Sequence, residues 1–191
     1  MILINFNQDV SPNFRFNYYD SKVAKKLIEL EATPQAIEYF SKVCNELTDY
    51  SYWFLLSTLW VSYTGFSDLN LWKRLFSSDR PKQKKSIMKP TEVKSYDQLP
   101  WFIKAYRVHR PNETDWIAYT LNVHTALRFA KERGVKSISE YKIKKRDVTA
   151  LFKRRGESEI ILLDKEKAEF IREIEIVYTE PQRSDDQWQE N

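Results

Sequence analysis

One cysteine, two histidines and three glycines are all that 191 residues hold of these types, and each shortage removes a class of chemistry. Cys44 alone can form no internal disulfide, which fits a reducing compartment. His109 and His124, added to that one thiol, are too few to build a histidine- or cysteine-based metal site, so no metal is expected. A glycine-rich phosphate loop is equally disfavoured. Long hydrophobic runs are missing too. The most apolar stretch, "YWFLLSTLWVSY" from Tyr52 to Tyr63, falls short of the roughly 20 residues that span a bilayer, and reads as a buried core helix with no membrane role. "MILINFNQDV" lacks a basic start, an apolar run and a small-residue cleavage site, so no secretory signal is expected and a cytoplasmic location follows.

What is present is a 42% hydrophobic composition, enough for one compact domain with a true core. The net charge is +4 and the pI near 9.0, with basic clusters at "RPKQKK" (Arg80–Lys85) and "KIKKRDVTALFKRR" (Lys142–Arg155). Such clusters meet nucleic acid, a dinucleotide pyrophosphate or an acidic protein, or form a solvated face.

The first part of the chain reads as helical. Ile37, Phe40, Cys44 and Leu47 follow helical spacing behind a Thr33 cap and Pro34. The Tyr52–Tyr63 run comes next, and then "SDLNLWKRLF", capped by Ser67, with Trp72, Leu75 and Phe76 on one face. Trp53, Trp60 and Trp72 read as core. Residues 77–100, with three prolines and many lysines, read as a long connection.

The period then changes. "WFIKAYRVHR" alternates as a strand, with Ile103, Ala105 and Arg107 on one face and Phe102, Tyr106 and Val108 on the other. "DWIAYT" gives a second strand, and "NVHTALRFAKERG" a helix capped by Asn122 and ended by Gly134. "SEYKI" is a strand, "RDVTALF" a helical turn, Ile160–Leu163 a strand buried on both faces and "EFIREIEIVY" the last strand. The tail from Thr179 is expected to be disordered. Residues 1–94 form the helical part and basic linker, 95–178 the core with the sheet, and 179–191 the tail.

In "RRGESEIILL" an apolar strand opens on two carboxylates, Glu157 and Glu159, one residue apart. On a strand they point the same way, roughly 6–7 Å from each other. Two more polar features precede them: Arg107 within a strand and Tyr119-Thr120 before a capped helix.

This order resembles the arginine, serine/threonine, glutamate class of ADP-ribosyltransferases. "LNLWKRLFSSDRP", "LP", "YR", "TALRFA" and "DVTALFKRRGESEIILL" look like phage-encoded proteins of that superfamily, over the stretch from Tyr50 to Tyr178. The resemblance implies an α+β fold, with a helical N-terminal layer and a small, split, mostly antiparallel sheet holding NAD in a cleft. It also implies mono-ADP-ribosyl transfer from NAD to a host protein side chain, arginine above all, in the host cytoplasm.

On that resemblance Glu159 holds the ribose 2′-hydroxyl and stabilises the oxocarbenium-like sugar, and Glu157 orients or deprotonates the acceptor. Arg107 pairs with NAD's phosphates or holds the ribose. Thr120 bonds to Glu159 or the ribose, Tyr119 supports the nicotinamide pocket, and Tyr106 counts among the NAD-binding residues. Residues 152–156 form the loop that meets the acceptor, their arginines calling for an acidic surface on it.

Two positions depart from the family pattern. Val108 stands where a glycine usually follows Tyr-Arg, and Ala118 where the first serine of Ser-x-Thr belongs, which removes one hydrogen bond to the ribose. His109, on the strand face of Arg107, offers the rival histidine, tyrosine, glutamate class. His124, in the first turn of a helix, reads as packing or surface. The functional alternatives are an NAD glycohydrolase, or a catalytically inactive basic module that binds nucleic acid or an acidic protein.

Overall fold

The computed structural model describes residues 9–63, 65 and 68–177. Asn17 opens α1 (Tyr18–Glu29) by accepting a hydrogen bond from the Asp20 amide at 3.1 Å. In α2 (Pro34–Val43) Thr33 is the cap residue and Pro34 takes the first position, but the Thr33 hydroxyl donates backwards to the Leu30 carbonyl at 2.6 Å. Ile37, Phe40, Cys44 and Leu47 are all buried, as their spacing requires.

The apolar run becomes α3 (Asp49–Ser62), with Trp53 and Leu56 fully enclosed. A helix apolar on every side belongs inside a core. Its polar tips find carbonyls there: the Tyr52 hydroxyl donates to Leu75 at 2.8 Å and the Trp53 indole to Pro81 at 3.2 Å. α4 (Leu69–Phe76) is capped by Asp68, which accepts from the Asn70 amide at 2.9 Å. Ser67, the expected cap, lies outside the described residues, as does the tail from Thr179.

Residues 77–100 are not a bare connection. They hold α5 (Gln83–Ile87) and α6 (Pro90–Asp97). Pro90 sits at the start of α6, where its missing N–H costs nothing, and Ile87, Met88 and Tyr96 are buried. Arg80, counted in a basic cluster, donates to the carbonyls of Cys44, Asn45 and Leu47 and pairs with Asp49 at 3.2 Å. Part of that cluster therefore closes a helix end instead of facing a partner.

Six strands follow: β1 (Phe102–Arg107), β2 (Ala118–Thr120), β3 (Ser137–Lys144), β4 (Ala150–Phe152), β5 (Glu159–Ile161) and β6 (Ala168–Glu175), with α7 (Val123–Arg133) between β2 and β3. Asn122 caps α7 and Gly134, at φ 65°, ends it. The helical turn expected over "RDVTALF" is instead a 3-10 turn at Lys145–Asp147 followed by β4, buried at all three positions.

The sheet order is β4-β5-β2-β1-β3-β6 with every pairing antiparallel, so the chain is α+β. β1 runs beside β3 from Phe102 to Arg107, yet meets β2 in register only at Tyr106 and Thr120. The sheet is thus held together at its centre by one thin joint and opens beyond it.

Alternation along β1 sorts the two faces. Ile103 and Ala105 join Tyr119, Ile143 and Ile160 in the large core shared with the N-terminal helices. Val108 turns the other way and packs with Ala126, Ala130 and Ile138 beneath α7.

Candidate functional site

Where β1 and β2 diverge, a cavity of about 820 Å³ is lined by parts of α3, α4, α7, the sheet and residues 110–117. Tyr106, Arg107, Tyr119, Thr120, Glu157 and Glu159 all line it. Residues spread over more than fifty positions of chain are brought together by the pairing of β2 with both β1 and β5, which sets Thr120 opposite Tyr106 on one side and Glu159 on the other.

Glu159 is the first residue of β5. Its side chain is half-buried at the cavity wall, and Trp60 of α3 donates its indole N–H to Oε1 at 2.6 Å. The indole is itself fixed by edge-on contacts with Trp72 and Phe76, ring centres 5.0 and 5.5 Å away. Burial pushes the Glu159 carboxyl up to about 7, helped by the Glu157 charge and opposed by the Trp60 hydrogen bond and the Arg107 charge. A carboxylate poised near neutrality in a cleft is an unusual and chemically useful group.

Glu157 shares the cavity by another route than the strand pleat. It precedes β5, on a turn in which Gly156 takes φ 71° and Ser158 φ 46°, so the regular alternation expected of the pair does not apply. The turn is pinned by the Gly156 amide on the Lys153 carbonyl at 3.0 Å and the Leu121 amide on the Ser158 carbonyl at 2.9 Å. The carboxylate faces two guanidinium groups, those of Arg155 and Arg128, each at 3.5 Å.

Arg107 is more occupied than its expected role implies. Its guanidinium holds Glu113 at 2.6 Å and donates to the Ala118 carbonyl at 2.5 Å. Burial opposes charge on Glu113, but the hydrogen bond from His109 and the Arg107 charge hold its carboxyl down at about 2. The Glu113 carboxyl is therefore ionised against Arg107 at any ordinary pH. His109 turns to the Tyr141 hydroxyl at 2.8 Å and stacks edge-on against Trp116 at 4.3 Å, and it is not among the residues lining the cavity.

Thr120 does not bond to the Glu159 carboxylate. Its hydroxyl donates to the Glu157 carbonyl at 2.5 Å and accepts from the Asn122 amide at 3.2 Å. It fixes the turn that presents both glutamates. The Tyr119 hydroxyl accepts from the Trp116 indole at 2.8 Å, and burial raises its pKa. Tyr106 is half-buried on the α7 side.

Of the two arginines in the loop expected to meet an acceptor, Arg154 turns into the molecule and Arg155 stays exposed. Arg154 pairs with buried Glu92 of α6 at 3.3 Å and donates to the Ile87 carbonyl at 3.1 Å. Arg155 donates to the Val61 carbonyl at 3.1 Å.

Three contributors were invisible in the chain order: Trp60, Glu113 and Trp116, all lining the cavity. Trp60 and Trp116 carry indole N–H groups that need an acceptor when buried, but nothing in the sequence says which. Among the described residues no group of three or more histidine, cysteine, aspartate or glutamate side chains could hold a metal ion, and no helix is long and apolar enough to cross a membrane.

Compared with family models, curated proteins and solved structures, the chain matches none.

Proposed function

We propose that the protein transfers ADP-ribose from NAD to a side chain of another protein, arginine in particular, and that it is a phage or prophage product acting in the host cytoplasm. The observation that carries the reading is the Glu159 carboxylate, held by Trp60 at 2.6 Å in a cavity that Arg107, Thr120 and Glu157 also line. Its volume of about 820 Å³ lies in the range of roughly 300–1,000 Å³ usual for small-molecule sites. Arginines and carboxylates alternate along the walls, Arg110 among them, and Trp60, Trp72 and Trp116 give flat apolar faces suited to rings.

The chemistry needs little more. Breaking the bond between nicotinamide and ribose builds positive charge on the sugar, and a fixed, desolvated carboxylate stabilises that charge as it develops. Glu159 does this when ionised, so the reaction gains as pH rises through about 7. Glu157, already facing guanidinium groups, orients an acceptor of the same kind. Arg107 acts with Glu113 as a neutralised unit that holds the β2 backbone at Ala118 and shapes the cleft.

The test is incubation of the protein with NAD labelled in its ADP-ribose part and a bacterial lysate. Label on discrete lysate proteins, together with free nicotinamide, is the expected result. Nicotinamide without labelled protein assigns the site to NAD hydrolysis. Binding of DNA or RNA that weakens steeply with salt, with no nicotinamide release, replaces the reading with the basic binding module.

A further inference from the structure

A second cavity, of about 430 Å³, lies where α6, the start of α7 and the turn before β5 meet. Ser158 lines it, while its neighbours Glu157 and Glu159 line the larger one. Tyr106, the β1 residue paired with Thr120, lines both. Leu99, Leu121, Val123 and Leu151 give the smaller cavity apolar walls.

Its polar groups are all able to donate. Lys153 Nζ donates to the Ser95 hydroxyl at 3.2 Å and meets no carboxylate among the described residues. Asn122 spends its Oδ1 on the His124 amide at 2.8 Å as the cap of α7, which leaves its NH2 for a ligand. The hydroxyls of Tyr106 and Ser158 have no hydrogen-bond partner among the described residues. No aspartate or glutamate lines this cavity, whereas carboxylates are frequent along the larger one. An ammonium, an amide NH2 and two hydroxyls over hydrocarbon walls fit an anionic, acceptor-only head on an apolar body. One lysine with no arginine beside it suits a single negative charge, hence a carboxylate in preference to a phosphate dianion.

The position of the cavity gives binding a consequence. The Leu121 amide donates to the Ser158 carbonyl at 2.9 Å and the Gly156 amide to that of Lys153 at 3.0 Å. Ser158 holds φ 46°, a left-handed conformation unfavourable for a residue with a side chain. A ligand gripped by Lys153, Leu121 and Ser158 together stiffens that turn.

We propose that this cavity is a second ligand site, taking a small apolar carboxylic acid, and that its occupation steadies the turn presenting Glu157 and Glu159. The inference stands apart from the transferase reading, because binding is measured without NAD.

The experiment titrates the full isotope-labelled chain with phenylacetate and with its neutral isostere phenylacetamide, following backbone amide resonances, and repeats both with Lys153→Met. That variant keeps the backbone amide that donates to Glu92. Expected are saturable shifts at Leu121, Val123 and Ser158, with a Kd for the acid on the order of 1 mM or tighter. Affinity is at least about 10-fold weaker for the amide, and for the acid in the variant. Hydrogen exchange at Leu121 and Gly156 slows when the acid is bound. Equal binding of acid and amide, unchanged binding in Lys153→Met, shifts confined to the residues around Glu159, or no binding at about 10 mM would each overturn the site. Exchange that the bound acid leaves unaltered overturns its effect on the turn. The comparison of acid with amide uses the wild type alone, so it decides the matter even if Lys153→Met fails to fold.

Discussion

Trp60 donates its indole N–H to the Glu159 carboxylate at 2.6 Å, joining a helix of the N-terminal half to the first residue of β5 across 99 positions of chain. The helical layer thereby does more than cover the sheet. It supplies the donor that holds a half-buried carboxylate at the cavity wall.

Removing that donor while keeping an aromatic ring, in Trp60→Phe, takes a hydrogen bond from the charged form of Glu159. Hydrogen bonds to charged groups contribute about 1.5–3 kcal/mol, equivalent to roughly 1–2 pH units. The acid limb of nicotinamide release against pH moves upward by that amount in the variant. A fall in rate at every pH with an unmoved limb would mean that Trp60 only fills space.

Glu159 also sets a stability trend of unusual sign. Its folded-state pKa, about 7, lies above the reference of 4.5, so folding favours the protonated form. The cost begins as pH rises above 4.5 and is complete above 7, reaching about 3 kcal/mol. Glu159→Gln is therefore more stable than the wild type at pH 8, and the difference vanishes near pH 4.5. Melting temperatures measured across that range check it, and a less stable variant at pH 8 would contradict it.

Glu113 behaves in the opposite sense. With its folded-state pKa lowered from 4.5 to about 2, it contributes stability above 4.5 that is lost as pH falls through 2. Glu113→Gln costs about 3 kcal/mol at pH 7 and little at pH 2. Denaturant titrations at the two pH values measure the difference.

Glu92, 2% exposed, accepts from the amides of Lys89 and Lys153, each at 2.8 Å, and pairs with Arg154. Glu92→Ala leaves these donors and a half-buried guanidinium unpaired, a loss of about 3–5 kcal/mol in urea unfolding. The segment after β4 loosens with it, and amide exchange at residues 153–158 rises before global unfolding.

How much of this was legible in the chain depends on the distance over which each residue acts. α2 follows from apolar spacing and Pro34, α3 from its unbroken apolar run, α7 from apolar spacing and the Asn122 cap, and β1 from strict alternation through Ile103, Ala105 and Arg107. α6 hid behind Pro90 and the surrounding lysines because its helix start looks the same as a loop until Tyr96 is seen buried. β4 was misread because Val148, Leu151 and Phe152 fit a helical period as well as a short buried strand, an ambiguity periodicity cannot resolve. In the site, Arg107, Thr120 and the two glutamates stood in readable order. Their partners did not: Trp60 and Glu113 act through contacts that only the closed sheet and the packed helix create.

The central claim is that Glu159 drives cleavage of the nicotinamide–ribose bond. Free nicotinamide released from NAD at pH 8, by the wild type and by Glu159→Gln, tests it most directly. The account predicts release by the wild type and a loss of at least about 100-fold in a variant that is folded and more heat-stable. Release by the variant at the wild-type rate, or none from either protein with NAD and lysate present, would contradict it.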